Sequence, residues 1–263
     1  MSFAYFKETI RNTFAQPAVI FIMILQIAIM SFLALGISFE YHHDVLLSVS
    51  LLGRTPLEGE GLLVFRKIVE NFIHLGWSIF MFLYIVGTAA SFSEMFNNPL
   101  LNILLTKRHS RTQILYSRYF GIVASVLLLQ VIFSLFTVLV LFLKTNIVFL
   151  WILLPMIIIP GVIFLILTSL SGLLGIIFDN STVTMVITLV VYYFSDFFTS
   201  GVLLSDPILK SIAYLFPPLS SLDKIFIDLM IFRNTDSVFP FYCFVYAICY
   251  FAATIIVFKR RDL

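Results

Sequence analysis

Hydrophobic and polar positions along the chain separate into long charge-free stretches and short segments that carry nearly all of the charges. Asp, Glu, Lys and Arg are absent from residues 12–39, 71–93, 119–143, 145–178 and 237–258. A further stretch, residues 180–204, contains only Asp196. A helix needs roughly 20 apolar residues to cross about 30 Å of hydrocarbon, because it rises about 1.5 Å per residue. The pattern therefore predicts a polytopic membrane protein with six spanning helices.

The predicted spans are residues 18–39, 72–93, 119–143, 148–176, 182–204 and 238–258. Pro155 and Pro160 lie in the fourth span. They are expected to kink that helix or end it early, unless neighbouring helices satisfy the carbonyls that the prolines free. No repeat or low-complexity linker divides the chain. We predict a single all-α transmembrane domain over residues 1–263.

Composition agrees with this class of protein. Hydrophobic residues make up 61% of the 263 residues and charged residues 11%, against about 25% charged in a typical soluble domain. The segments between the predicted spans are too short to fold as a soluble domain.

Basic residues predict the orientation of the spans. Nine of them flank alternate ends of the helices: Lys7, Arg11, Lys107, Arg108, Arg111, Arg118, Lys259, Arg260 and Arg261. The remaining seven lie in the other loops, among most of the acidic residues. Because short cytoplasmic loops carry an excess of Lys and Arg, we expect both termini to be cytoplasmic.

The first 17 residues predict a helix outside the spans. Phe3, Phe6, Ile10 and Phe14 form an apolar stripe at helical spacing, and Pro17 marks a break before the first span. Such an amphipathic helix is expected to lie in the cytoplasmic headgroup layer with its apolar side inward.

Residues 94–118 contain two helix-start signals. Asn98 followed by Pro99 has the pattern of an N-cap and first helical residue, and Ser110 with Gln113 fits a capping box. A helix that starts near Arg111 and reaches Leu143 is about 50 Å long, so its first turns would project beyond the bilayer core. This segment is a candidate docking surface for a cytoplasmic partner. The alternative is a basic loop held by lipid headgroups.

The external segment 205–237 is also predicted to be helical. Pro207 and the pair Pro217-Pro218 punctuate it, and large apolar residues recur between them at helical spacing. We expect two short amphipathic helices, broken near Pro217, that lie on or dip into the outer leaflet.

Motifs for chemistry are few. The chain has no phosphate-binding loop and no zinc-protease or serine-hydrolase motif, so an enzyme is not expected. Adjacent His42, His43 and Asp44 without a second cluster favour a solvated loop over a metal site. Cys243 and Cys249 are about 9 Å apart along one predicted helix, so we expect no disulfide between them.

Asp196 is the only acidic residue within a predicted span. A carboxylate at membrane depth indicates function by default, and Asp196 is therefore a candidate polar residue on a translocation path. The alternative is a position near the outer surface, since the span ends soon after it.

The order of these parts resembles a permease of the type-2 ATP-binding-cassette (ABC) family. The resemblance rests on the interfacial helix, six spans, a cytoplasmic segment between spans two and three, a broken external segment and the basic tail. The stretch from 93 to 118 is similar to the family stretch at Glu94, Leu104, Leu105, Ser110 and Arg111. The family often has Pro where His109 stands and Lys where Arg118 stands.

This resemblance implies the membrane subunit of an ABC transporter, an exporter in a bacterial-type cytoplasmic (inner) membrane. Two permease subunits, identical or different, would pair around a path in membrane lipid. Each would dock a coupling helix, about 97–110, into an ATPase subunit that binds ATP and Mg, leaving no cofactor on this chain. The residues that this implies for docking are Glu94, Asn97, Asn98, Leu104, Leu105, Lys107, Arg108, Ser110, Arg111 and, in a second contact at 179–182, Asp179.

Two alternatives come from other classes. A stand-alone secondary transporter or channel would work without an ATPase and depend on Asp196. A non-transporting membrane scaffold would depend on its external helices for partner binding. Nucleic acid is not an expected partner of any of the three.

Overall fold

A computed structural model describes residues 3–42, 45–51, 76–93, 110–145, 150–198, 210, 214–230 and 239–260. This part of the chain is mostly helical. The helices are α1 (Phe3–Phe14), α2 (Pro17–Ser31, continued by a π-helical turn over Phe32–Gly36), α3 (Gly76–Ser93), α4 (Arg111–Thr145), α5 (Leu150–Phe178), α6 (Ser181–Tyr193), α7 (Ser195–Phe198), α8 (Leu219–Met230) and α9 (Phe239–Arg260). Strands β1 (Ile37–His42) and β2 (Val45–Leu51) follow α2.

Within the described residues, five helical segments are long and apolar enough to cross a membrane. They are Pro17–Gly36, Gly76–Ser93, Thr112–Lys144, Met156–Phe178 and Cys243–Arg260. Each overlaps one of the predicted spans. The protein is therefore a helical membrane protein.

The predicted fifth span, 182–204, does not form one continuous helix. Helix α6 has 13 residues, and the backbone leaves helical geometry at Phe194 (φ −96°, ψ 12°) before the four-residue helix α7. Residues 199–209 lie outside the described part of the chain. The six-span count is not confirmed for this reason.

The all-α prediction is wrong for the end of the first predicted span. From Ile37 the chain forms a β-hairpin, in which β1 and β2 pair antiparallel with a register shift after Glu40. Ile37 and Val49 are buried while Ser38 and Glu40 are exposed, an alternation that suits a half-buried strand and not a spanning helix. The Ser48 hydroxyl donates a hydrogen bond to Glu40 across the hairpin at 2.6 Å.

Helices α4 and α5 run antiparallel and fix the two ends of the bundle. Tyr119 near the start of α4 shares a hydrogen bond with Ser169 near the end of α5. A cluster of buried side chains closes this end: Tyr5, Phe92, Ile114, Leu115, Tyr119, Ile122, Val123, Ile176 and Phe258. We call it the terminal end. It joins α1, the last described residues of α3, the last residues of α5 and α9, and the first residues of α4.

Helix α5 continues through both of its prolines. Pro160 lacks the N–H that would bond to the carbonyl of Met156 four residues earlier. The Gln130 side chain of α4 donates to that carbonyl instead, at 2.9 Å, in a buried contact. A neighbouring helix thus satisfies the carbonyl that Pro160 frees, as membrane burial requires.

Both cysteines are free thiols, with Cys243 buried and Cys249 exposed on α9. The prediction that they do not bridge each other is confirmed.

Replacing the Gln130 side chain is expected to destabilise the bundle through the Met156 carbonyl. In Gln130→Leu the Met156 carbonyl loses its donor, at a cost of about 1–3 kcal/mol for a buried unsatisfied group. Adding Pro160→Ala returns a backbone N–H to that carbonyl and should recover most of the loss. Unfolding in detergent, followed for both single variants and the double variant, measures the coupling. If Gln130→Leu lowers the free energy of unfolding by the same amount with and without Pro160→Ala, this assignment is contradicted.

Candidate functional site

The structure describes four of the predicted site residues, at least in backbone. They are Ser110 and Arg111 at the start of α4, Asp179 between α5 and α6, and Asp196 in α7. Glu94, Asn97, Asn98, Leu104, Leu105, Lys107 and Arg108 lie outside the described residues. The site is therefore described through the described residues on either side of 94–109, up to Ser91 in α3 and Arg118 in α4, which we call the roots of this segment. Their neighbours complete the description.

Ser110 forms the predicted capping box. Its hydroxyl accepts a hydrogen bond from the Gln113 backbone N–H at 3.2 Å, and the Gln113 side chain accepts one from the Ser110 N–H at 3.4 Å. Helix α4 then runs for 35 residues, about 50 Å at about 1.5 Å per residue. The prediction of a long helix that begins at Arg111 is confirmed.

Arg118 ties the two roots of the segment 94–109 together. Its Nε and Nη2 both donate to the Ser91 carbonyl, at 3.1 and 2.6 Å. Ser91 is in the last described turn of α3. Since Arg118 belongs to α4 and is only 8% exposed, it fastens this part of α3 to α4 near the start of that helix.

The shape of the Arg118 side chain suits this contact. Arginine presents several N–H groups in a fixed plane, so two of them reach the same carbonyl. A lysine ammonium has no such planar fork, and it would hold the Ser91 carbonyl as a point charge.

Helix α1 docks on α4 through a stripe that the sequence analysis did not select. Tyr5, Thr9 and Thr13 are buried, and the two threonine hydroxyls donate to carbonyls of α1 itself at 2.9 and 2.8 Å. At the crossing point is Gly121, where an added Cβ would lie 2.7 Å from Thr9 Cγ2. Because both threonine hydroxyls bond to carbonyls of their own helix, the polar stripe needs no hydrogen-bond partner from α4 and can pack against it.

The apolar stripe of α1 occupies a different face. Phe6, Ile10 and Phe14 are partly exposed, whereas Lys7 and Arg11 are exposed. This stripe does not form the contact with α4, and the expectation that it faces the headgroup layer stays a prediction. The helix has three faces: one on α4, one apolar and one charged.

Tyr5 brings α1 into contact with the Arg118 tie. Burial raises the pKa of the Tyr5 phenol above its ordinary value, and the neighbouring Arg118 guanidinium opposes that rise. The phenol therefore stays neutral beside the guanidinium at physiological pH. Helix α1 and the roots of the segment 94–109 form one packed unit.

The turn between α5 and α6 lies at the same end of the bundle. Asp179 adopts φ 51°, a left-handed conformation that Asp tolerates better than most residues. The Asn180 side chain then caps α6 by accepting from the N–H groups of Thr182 and Val183 at 2.9 and 3.2 Å. Ser110, at the described end of the first segment predicted to contact an ATPase, and residues 179–182, which form the second, therefore both lie at the terminal end.

A second polar site lies between helices, around Asp223 of α8. One carboxylate oxygen accepts from the indole N–H of Trp77 at 2.7 Å and the other from the Tyr192 hydroxyl at 2.8 Å. Trp77 packs against Phe226 and reaches Phe164, the midpoint of α5, with ring centroids 4.6 and 6.5 Å away. A half-buried carboxylate thus joins α8, α3 and α6.

The sequence analysis missed Asp223 because it treated residues 205–237 as external. The signal was present nonetheless. Leu219, Leu222 and Phe226 form the buried face of α8, and Asp223 falls on that face at helical spacing. An acidic residue inside the apolar stripe of an amphipathic helix indicates a partner within the protein.

Asp196, the acidic residue that the sequence analysis selected, belongs to the short helix α7. Its side chain lies outside the described residues. The acidic side chain that the structure places against the spanning helices is Asp223.

Comparison with known proteins gives no match: no protein-family model fits the chain, and no curated protein is significantly similar to it.

The contact between Thr9 and Gly121 predicts how α1 is released. In Gly121→Ala the new methyl overlaps Thr9, and overpacking of this kind costs about 1–3 kcal/mol. We expect α1 to undock, so that trypsin cleaves faster after Lys7 or Arg11. Gly161→Ala is the matched control, because its methyl meets only the end of the Leu127 side chain, at 3.2 Å. Similar cleavage in wild type and Gly121→Ala would contradict the docking.

Proposed function

We propose that the protein is the membrane-spanning permease subunit of an ABC transporter, an exporter driven by an ATPase on a separate chain. The observation that carries the proposal is the Arg118 tie at the terminal end. It fixes both roots of the segment 94–109, whose residues resemble the family's coupling stretch. A segment that must transmit force needs such fixed roots.

The long helix α4 supports this role. Its capped start at Ser110 immediately follows the segment, and its buried residues pack along α5 as far as Gln130 and beyond. A force applied to the segment 94–109 is therefore transmitted directly to α4, which continues through the bundle. The nearby turn at Asp179 and Asn180 offers the second contact that the resemblance implies.

Charge at the terminal end is consistent with a cytoplasmic position. The charged residues described at this end are Lys7, Glu8, Arg11, Arg118, Asp179, Lys259 and Arg260. Basic residues are the majority, as expected on the cytoplasmic side of a membrane. They suit acidic groups of a partner and also anionic lipid headgroups. We propose that both termini are cytoplasmic.

The three faces of α1 fit an interfacial helix beside this docking surface. One face is fixed to α4, so the partly exposed Phe6, Ile10 and Phe14 are available to lipid while Lys7 and Arg11 meet water and headgroups. A second permease subunit would complete the path. ATP and Mg would be bound by the ATPase chains.

A stand-alone secondary transporter is the second candidate, and Asp223 is the observation that favours it. A half-buried carboxylate between the helices of a membrane protein is the kind of group that couples transport to ions. Both of its oxygens already accept hydrogen bonds from Trp77 and Tyr192, however. This arrangement favours a structural connection over an open ion site.

Charge reversal in the segment tests the proposal. We expect Arg108→Glu/Arg111→Glu to weaken co-purification with the ATPase encoded beside this chain and to lower ATP hydrolysis by the complex in lipid. The control is Lys259→Glu/Arg260→Glu, which makes the same charge change at the same end but on α9. That variant should retain the complex.

Two results would oppose the proposal. If the folded wild-type chain binds no ATPase, the secondary transporter becomes the better interpretation. If both double variants lose the complex equally, general electrostatic attraction accounts for assembly and the segment has no specific docking role.

A further inference from the structure

We propose that Asp223 is a positioning residue that holds α8 across α3 and α6 in the resting state, and that the transport stroke releases it. The release step rests on the proposed function, whereas the holding role concerns the chain alone. Two observations carry the inference. Asp223 bonds to side chains of α3 and α6, and its partner Trp77 belongs to the helix whose Ser91 carbonyl Arg118 holds.

The contacts of Asp223 join three helices at one carboxylate. Trp77 comes from the first described turn of α3 and Tyr192 from the last turn of α6. Hydrogen bonds to an ionised acceptor are stronger than neutral ones and weaken steeply with distance and angle. A small displacement of either helix therefore removes much of the attraction.

A second contact fastens the start of α8 to the break after α6. The backbone N–H of Ser220, one of the N–H groups without an intrahelical acceptor, donates to the Ser195 hydroxyl at 3.0 Å. Ser195 opens α7, immediately after the break at Phe194. The interruption of the predicted fifth span is thus the place where α8 docks.

Partial burial makes Asp223 costly unless it has this role. Its carboxylate is half-buried and bonds to Trp77, whose ring centroid lies 6.5 Å from that of Phe164 in α5. Taking a charged group out of water costs free energy unless the group is hydrogen-bonded. Leu219, Leu222 and Phe226 alone would supply an apolar contact for α8, so packing does not require an acid at this position.

Helix α3 connects Asp223 to the terminal end. Its first described turn carries Trp77, which donates to Asp223, and its last described turn carries the Ser91 carbonyl that Arg118 holds. Between them the Tyr84 hydroxyl donates to the Phe164 carbonyl of α5 at 3.2 Å. Movement of the segment 94–109 therefore acts on a helix whose other end holds α8 in place.

The release step follows from this connection. If ATP binding moves the roots of the segment, α3 shifts Trp77 away from Asp223 and α8 is free to leave the bundle. The bundle then opens where α8 had packed against α3 and α6, and no spanning helix unwinds. Asp223 acts through Trp77 and Tyr192, and it need not touch the substrate.

Tryptophan provides the probe, because the chain has only Trp77 and Trp151. In a Trp151→Phe background the chain is labelled with 5-fluorotryptophan and placed in lipid nanodiscs, so fluorine NMR reports Trp77 alone. We expect one resonance that a soluble gadolinium chelate does not broaden. Asp223→Asn, which keeps only one oxygen acceptor, should add a shifted resonance that the chelate does broaden.

Two further variants control this measurement. Asp228→Asn removes the same charge from the same helix and should leave the single protected resonance. Tyr192→Phe removes one of the two donors and should give a smaller released population, which keeps the test informative if Asp223→Asn folds poorly. A single protected resonance in both Asp223→Asn and Tyr192→Phe would overturn the holding role.

The release step is tested in the complex with unlabelled ATPase. Trapping with ATP, Mg and vanadate should produce the released resonance while Asp223 is intact, a change that a merely structural contact would not show. Persistence of only the protected resonance would overturn release. If no ATPase assembles, the proposed function and the release step fall together, whereas the Asp223→Asn spectrum of the chain alone still decides the holding role.

Discussion

The bundle depends on one constraint: a backbone carbonyl that faces no water needs a donor from within the protein. Helices meet this need internally until a proline removes a donor. Gln130 then serves the carbonyl that Pro160 frees, and Arg118 adds two donors to the Ser91 carbonyl in the last described turn of α3. Tyr84 and Tyr119 add hydroxyl donors to carbonyls of α5 at 3.2 Å each. Side-chain bonds to backbone carbonyls thus join neighbouring helices, and they help to fix which helices lie together.

The same requirement gives the two ends of α3 different chemistry. At the terminal end a buried arginine meets a carbonyl, and near Trp77 a half-buried carboxylate meets an indole N–H. Each contact uses one charged side chain from a neighbouring helix, α4 or α8. Helix α3 is thus held by charged groups at both described ends and by neutral hydrogen bonds between them. That arrangement suits a helix that transmits movement through the bundle.

The sequence predicts the parts of this protein that depend on local signals. Charge-free length identifies the five apolar helices, and the Ser110–Gln113 capping box locates the start of α4. It does not predict contacts that depend on tertiary packing. The packing stripe of α1 can be polar because Thr9 and Thr13 bond within their own helix, so hydrophobic periodicity does not reveal that face. Asp223 lies in a segment that the charge pattern assigned to the outer side, which concealed its contacts with Trp77 and Tyr192.

The central claim is that the segment 94–109 docks into an ATPase from the terminal end. Electron cryo-microscopy of the chain, purified with its bound partners in lipid nanodiscs, tests it most directly. The account predicts two permease subunits above two ATPase subunits, with residues 97–110 seated in an ATPase groove and Arg118 still on Ser91. A folded chain with no ATPase on the terminal end, or one bound elsewhere, would contradict it.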